Sequence, residues 1–296
     1  MTAPTAVLFD EPGPVARRRT RTGSIVAGVL LLATLVLILI RMQQQGQLDP
    51  EKWGPLIDPT NADFAAVWQL LGPALGVTLR AAAVAIVASI VLGLVIGALR
   101  LLLPRAGRVP LIGIVELLRG LPVVVTILYV DVLLRTLGVH PGSFWVLVVG
   151  LTLYNCVIIS EIVRAGVQSL PRGQVEAGLA IGMTPAQVMG QIQLPQAVRA
   201  MLPALISQMI VVLKDTALGS VVLVSLGDLG EIANRLRQVL DNSVQTYLVV
   251  GLIFVVINLL LDLLARWVQR RLSGSGRSTA KVEVDNGMQM TGGSNT

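Results

Sequence analysis

Several ionisable residues lie inside or at the ends of long apolar runs, where charged side chains are rare. Placing such a group at membrane depth costs roughly 2.5 to 3.5 kcal/mol on insertion scales, so it normally faces a polar cavity or a partner group. Guanidinium and ammonium groups bind carboxylates, and carboxylates accept hydrogen bonds from ammonium groups. We therefore predict a polar pathway through this protein, with these candidates: Arg80, Arg119, Asp131, Glu161, Lys214 and Asp215.

A local explanation competes with the pathway for some of these residues. Glu116 and Arg119 are three residues apart, a spacing at which side chains on one helix face pair with each other. Arg80 and Arg164 lie near the ends of apolar runs, where long side chains reach back to the polar interface. Both interpretations stay open from the sequence.

The sequence offers little for metal binding or catalysis. Cys156 and His140 are the only residues of their types, so there is no internal disulfide and no cluster of zinc, iron or haem ligands. Neither a phosphate-loop motif nor a nucleophile elbow occurs in the sequence. We expect no metal site, no cofactor held by this chain and no catalysis by it.

The composition indicates a membrane protein. Of the 296 residues, 54% are hydrophobic and only 14% are charged, and the mean hydropathy is +0.76. The net charge of +6 does not indicate nucleic acid, because only 4% of residues are aromatic and the basic residues stand at the ends of apolar runs.

The elements that position the charged residues are predicted to be six membrane-spanning helices. The apolar runs are residues 24–40, 81–99, 109–137, 144–160, 201–226 and 247–261. Arginines follow the second, fourth and sixth runs and precede the first, which places both termini in the cytoplasm. A secretory signal peptide is the alternative for the first run, but no small-residue cleavage site follows it.

This pattern divides the chain into five segments. The predicted fold is all-α, with a five-helix core preceded by one extra helix. The segments are a cytoplasmic start (1–23), the extra helix (24–40), an external loop with a short amphipathic helix (41–72), the transmembrane core (73–271) and a disordered cytoplasmic tail (272–296).

Residues 170–199 form a long cytoplasmic loop whose sequence predicts its own helices. Gly182 can end a helix over residues 174–181 in the left-handed conformation. Thr184 can cap a second helix, with Pro185 at its first position and Gln187 completing a capping box. We expect that helix to end at Leu194-Pro195. Such a pair of helices is a rigid projection, able to transmit force.

The loop also resembles a known family. Its residues match the E-A-A-x3-G-x9-I-x-L-P signature of permease subunits of bacterial ABC importers, with Gly178 in place of the second alanine: Glu176, Ala177, Gly178, Gly182, Ile192, Leu194 and Pro195. The element E-L-L-R-G-L-P at residues 116–122 and Lys214-Asp215-Thr216 resemble the polar amino acid permeases. Residues 7–14 and 46–53 look like the second permease of actinobacterial glutamate importers.

The resemblance implies a function and a set of partners. A second, non-identical permease would complete the pathway, a pair of ATPase subunits would hold ATP and Mg²⁺, and an external solute-binding lipoprotein would deliver the amino acid. The loop residues just named, with Thr184 and Pro185, would contact the ATPase. The protein would take up glutamate, glutamine or aspartate across the bacterial plasma membrane and contact lipids but no nucleic acid.

Two other functions compete with the importer. A self-contained ion-coupled transporter would normally show internal repeats, which we do not detect, and would give the cytoplasmic signature no role. A membrane scaffold would gain nothing from charges on several spans.

Overall fold

The computed structural model describes residues 13–273, except for the side chains at 268, 269 and 271–273. Every regular element in that range is helical, which confirms the all-α prediction. The start of the chain (1–12) and the part of the predicted disordered tail from residue 274 onward lie outside the described residues.

The described residues form two compact units, the first of which covers residues 13–64. Its helix α1 spans Pro14–Gln44 and α2 spans Pro50–Ile57. At about 1.5 Å per residue, the 31 residues of α1 exceed the roughly 30 Å hydrocarbon core. The helix begins ten residues before the apolar run that starts at residue 24. Its first turns include four arginines: Arg17, Arg18, Arg19 and Arg21.

The second unit, which begins at residue 65 and is described to residue 273, contains the remaining helices apart from Phe64 at the start of α3. They are α3 (Phe64–Leu102), α4 (Arg105–Gly120), α5 (Val123–Thr136), α6 (Ser143–Gln168), α7 (Arg172–Ala180), α8 (Pro185–Gln187), α9 (Leu194–Asp215), α10 (Gly219–Val222), α11 (Leu229–Val239) and α12 (Ser243–Ser273). A π-helical segment, Val188–Gln193, joins α8 to α9, and a 3-10 turn, Thr216–Leu218, joins α9 to α10.

Five helical stretches of the described range are long and apolar enough to cross a membrane. The predicted span 109–137 is not one of them, because α4 and α5 are bent by 110° relative to each other. The break falls at Leu121-Pro122, where Leu121 has an extended backbone (φ −87°, ψ 137°). Proline disfavours a helical conformation in the residue before it, so the region that the sequence predicts as one span consists of two helices joined at this bend.

One helix replaces the short amphipathic piece and the second span that the sequence suggested. Helix α3 runs without interruption from Phe64 to Leu102 and contains Pro73. Proline removes one backbone hydrogen bond, but apolar helices tolerate that loss when the flanking turns keep theirs. The amphipathic stretch near residues 64–71 is therefore the first part of α3, and the short helix within residues 41–72 is α2.

Helix α6 is the most buried of the membrane-length helices in the described range, since two thirds of its most apolar stretch is buried. It packs against α5, α9 and α3. The loop helices lie at one end with Leu101 and Leu170, which we call the loop end. At the opposite end the Leu229 N–H donates to Thr78 Oγ1 (3.1 Å), and Ser143 Oγ donates to the Val224 carbonyl (2.6 Å).

Candidate functional site

The loop begins with the predicted glycine-terminated helix. Helix α7 ends at Ala180, and Gly182 adopts a left-handed backbone with φ +86°. The Met183 N–H donates to the Gly178 carbonyl (3.1 Å) and the Gly182 N–H to the Leu179 carbonyl (3.0 Å). This pair of bonds is the Schellman motif, which satisfies the last carbonyls of α7.

The second loop helix begins with the capping box that the sequence predicted. Thr184 Oγ1 accepts from the Gln187 N–H (3.3 Å), and Gln187 Oε1 accepts from the Thr184 N–H (2.8 Å). Pro185 occupies the first helical turn, where its missing N–H costs nothing.

The predicted end of this helix at Leu194-Pro195 is wrong, because the chain stays helical into α9. Leu194 has helical angles (φ −59°, ψ −45°), and its N–H donates to the Met189 carbonyl five residues earlier. Pro195 then lies in the first turn of α9. The wider π turn changes the hydrogen-bond register just before the proline, so the helical conformation continues through it. The loop is therefore continuous with a membrane-spanning helix.

Gly178 holds the two loop helices close together. A Cβ at this position would lie 2.9 Å from Val188 Cγ2 and 3.2 Å from Ile192 Cδ1. Both distances are shorter than an ordinary contact, and the stiff, buried Val188 has little room to move. The departure from the second alanine of the motif thus has a packing reason in this chain.

The outward surface of the loop combines a carboxylate with apolar side chains. Glu176 and Ala177 are exposed on α7, and Glu176 has no ion pair with any other described residue. Ile181, just after the helix end, is 80% exposed. An exposed apolar side chain near a carboxylate that has no described partner is suited to contact another protein.

Glu161 is the only sequence-predicted pathway candidate that lies in a charged network between described helices. It accepts hydrogen bonds from Arg100 Nη1 of α3 (3.0 Å) and from Arg164 Nε of its own helix (3.0 Å). Arg100 is only 7% exposed, whereas the sequence suggested a loop arginine at the membrane boundary. Arg164 continues the network to Gln168 (2.6 Å).

Two other candidates form pairs within their own helices, of which the sequence analysis considered only that of Arg119. Arg119 lies 4.0 Å from Glu116, with both side chains exposed. Asp131 accepts from Arg135 Nε at 2.9 Å, one turn away on α5. The six candidates do not converge on one point of this chain.

The remaining candidates lie toward the opposite end. Arg80 is exposed and donates from Nε to the Gly76 carbonyl of its own helix (3.0 Å). Lys214 is exposed at the end of α9, and Asp215, beside it, is half-buried. Neither Lys214 nor Asp215 pairs with another described residue.

A buried polar pair between α6 and α9 was missed by the sequence analysis. Gln208 Nε2 donates to Asn155 Oδ1 at 2.7 Å, and Asn155 Nδ2 donates to the Leu151 carbonyl at 2.8 Å. Asn155 is fully buried and Gln208 is 9% exposed. Uncharged amides inside apolar runs were the available signal, since hydrogen bonds between such side chains join membrane helices.

At the opposite end, two carboxylates accept hydrogen bonds from backbone N–H groups at the start of helix α11. Asp228 Oδ1 accepts from the Glu231 N–H (2.9 Å), and Glu231 accepts from the Gly227 N–H (2.7 Å) and from Arg235. Burial raises the pKa of Asp228 above its ordinary value. Burial also acts to raise the pKa of Glu231, but these hydrogen bonds outweigh it and leave the pKa lowered.

Comparison with known proteins agrees with the loop motif. Residues 65–274 match the model of the family described as binding-protein-dependent transport system inner membrane component. The glutamate transport system permease protein GluD of Corynebacterium glutamicum is 37% identical over 245 residues, 81% of this chain and 86% of that protein. The arginine transport system permease protein ArtQ of Bacillus subtilis is 30% identical over 223 residues, 73% of this chain and 99% of that protein.

A solved structure agrees as well. The crystal structure of an amino acid ABC transporter with histidines aligns with a TM-score of 0.63 and 28% identity, over 70% of this chain and 96% of that one. The family match covers more than two thirds of the sequence and includes the whole loop. The resemblance that the loop residues indicated is confirmed, and the chain belongs to the family of inner membrane components of binding-protein-dependent transport systems.

Proposed function

We propose that this chain is the permease subunit of an ATP-driven importer for a polar amino acid, with glutamate as the first choice and glutamine or aspartate as alternatives. The observation that carries the proposal is the loop of α7 and α8. Residues of the family signature, Glu176 and Ala177, lie on its exposed face. The relative GluD, a glutamate permease by its name, supports the choice of substrate.

The loop is proposed to couple the chain to a separate ATPase pair that holds ATP and Mg²⁺. Its contact residues would be Glu176, Ala177 and Ile181, while Gly178, Gly182 and the Thr184 capping box would hold their geometry. Because the π-helical segment continues into α9, a displacement of the loop would pass directly to a membrane-spanning helix. ATP-driven closure would then rock the helices between inward-open and outward-open states.

The orientation follows from the distribution of positive charge. Arginines cluster at the loop end, which supports a cytoplasmic loop and cytoplasmic termini: Arg100, Arg105, Arg108, Arg164, Arg172, Arg199 and Arg266. In this orientation α4 and α5 together would form the sixth crossing, and the extra helix α1 would begin in the cytoplasm.

The partners of the proposed importer can be tested directly. We expect a tagged chain, purified from gently solubilised native membranes, to bring with it an ATPase, a second non-identical permease and an external amino-acid-binding lipoprotein. Mass spectrometry identifies them, and uptake of labelled glutamate with unlabelled glutamine and aspartate as competitors ranks the substrates. Recovery of the chain alone, under conditions that keep a known importer intact, would support the ion-coupled transporter instead.

Lys214 is proposed to bind the substrate's carboxylate on its way through the membrane. Its ammonium group is exposed and unpaired among the described residues, so it is available to a ligand. A charge-assisted hydrogen bond contributes about 1.5–3 kcal/mol, so we expect Lys214→Ala to lower the uptake rate about tenfold or more at equal expression. Lys214→Arg, which keeps the charge, should retain most of the uptake. Unchanged uptake and substrate preference in Lys214→Ala would remove this role.

A further inference from the structure

A cavity of about 650 Å³ lies between the loop helices and the ends of the membrane helices. Leu101, Leu102 and Val167 form its wall on the membrane side, and Leu179 and Val188 form part of its wall on the loop side. This volume lies within the range of about 300–1,000 Å³ that is typical of ligand sites.

The polar part of the lining consists of hydrogen-bond donors. Arg172 lines the cavity and forms no ion pair with any described residue. Gln168 lines it too, and because its Oε1 already accepts from Arg164 (2.6 Å), its amide N–H groups remain to donate. None of the described lining residues is acidic. The cavity therefore favours a ligand with an anionic group and an apolar body.

The position of the cavity indicates which kind of amphiphilic molecule it would bind. Leu102 ends α3 and Gln168 ends α6, so the cavity lies where two apolar, membrane-length helices stop. The ends of membrane-length helices are expected near the lipid headgroups, and arginines cluster at this end of the chain. A small soluble anion would bind the Arg172 guanidinium but would not cover the apolar leucine and valine side chains of the cavity.

We propose that this cavity binds one anionic phospholipid, with the phosphodiester at Arg172 and Gln168 and part of an acyl chain along Leu101, Leu102 and Val167. The lipid would fill the space beneath Leu179 and Val188 and brace the loop against the membrane helices. Only this bracing role rests on the proposed function, because binding of the lipid is measured without ATP.

The test compares lipid retention in the purified full-length chain together with its co-purifying subunits. The protein is delipidated and then exposed to phosphatidylglycerol, phosphatidylcholine or glycerophosphoglycerol, which is the same headgroup without acyl chains. Native mass spectrometry counts the retained molecules. We expect one retained phosphatidylglycerol per copy of this chain, in preference to phosphatidylcholine, and about tenfold weaker retention in Arg172→Gln. Arg199→Gln is the matched control, since Arg199 is exposed at the same end but does not line the cavity.

Three results would overturn the lipid site. These are equal retention of both phospholipids, equal losses in Arg172→Gln and Arg199→Gln, and binding of glycerophosphoglycerol as strong as that of phosphatidylglycerol. The last result would mean that the cavity holds a soluble anion and makes no use of its apolar walls. Substrate-stimulated ATP hydrolysis, measured on the same preparation, reports separately on the proposed function.

Discussion

Replacing Glu176 by lysine is expected to abolish substrate-stimulated ATP hydrolysis in the assembled importer while leaving the chain folded. The side chain is exposed, and the change breaks no hydrogen bond or ion pair among the described residues. At a docked surface that accepts a carboxylate, the reversed charge costs several kcal/mol, which corresponds to a loss of more than about a hundredfold. The measurement is the rate of ATP hydrolysis with and without the loaded binding protein, in purified complexes reconstituted in lipid.

Glu51→Lys is the matched control for this variant, because it reverses an exposed carboxylate in the separate first unit. It should leave the stimulation intact. Gly182→Asp, which places a side chain where φ is +86°, should weaken coupling in the same direction by distorting the turn. If Glu176→Lys is stimulated as strongly as the natural protein, the loop does not couple through this carboxylate.

Replacing Gly97 by leucine is expected to prevent α3 from packing on α6. A Cβ at this position would lie 2.7 Å from Val163 Cβ and 3.0 Å from the Ser160 carbonyl oxygen. The second contact is with backbone, so the helices themselves would have to separate. Overpacking typically costs 1–3 kcal/mol and occasionally more, and we expect a loss of about 3 kcal/mol or greater here. The yield of monodisperse protein and its thermal unfolding midpoint would report the loss.

The matched control places the same side chain at a glycine with room around it. Gly251 lies in the membrane-spanning helix α12, and a Cβ there would meet no atom within 4 Å. Gly251→Leu should therefore behave like the natural protein. Comparable yield and unfolding midpoint for both leucine variants would show that the close contact at Gly97 is dispensable.

The Gly97 contact also shows what a short sequence pattern in α3 does within this chain. Gly93 and Gly97 form a G-x-x-x-G pattern that serves either packing within a chain or contact between subunits. A Cβ at Gly93 would lie 2.5 Å from Ile159 Cγ2, so both glycines face α6 of the same chain. Just beyond Gly97, the buried Arg100 joins the same two helices through Glu161.

Local rules were enough to predict the apolar helical runs of this protein and most of the loop. A membrane requires long apolar helices, so hydropathy and arginine positions located the helical runs without tertiary information. The left-handed Gly182 and the Thr184–Gln187 capping box each depend on residues only a few positions apart. Such short-range geometry follows from residue type and spacing, and the same residues carried the family resemblance.

Tertiary structure decided which groups meet across the fold. Arg100 and Glu161 are 61 residues apart in sequence, and Gln208 and Asn155 are 53 apart, yet each pair is in hydrogen-bond contact. No spacing rule predicts these pairs, because helix packing angles and depths set them. The continuity of the loop with α9 also depends on more than the Leu-Pro sequence, which indicates a helix end when taken alone. A π turn and its neighbours supply the alternative hydrogen bonds, and only the folded chain shows that they form.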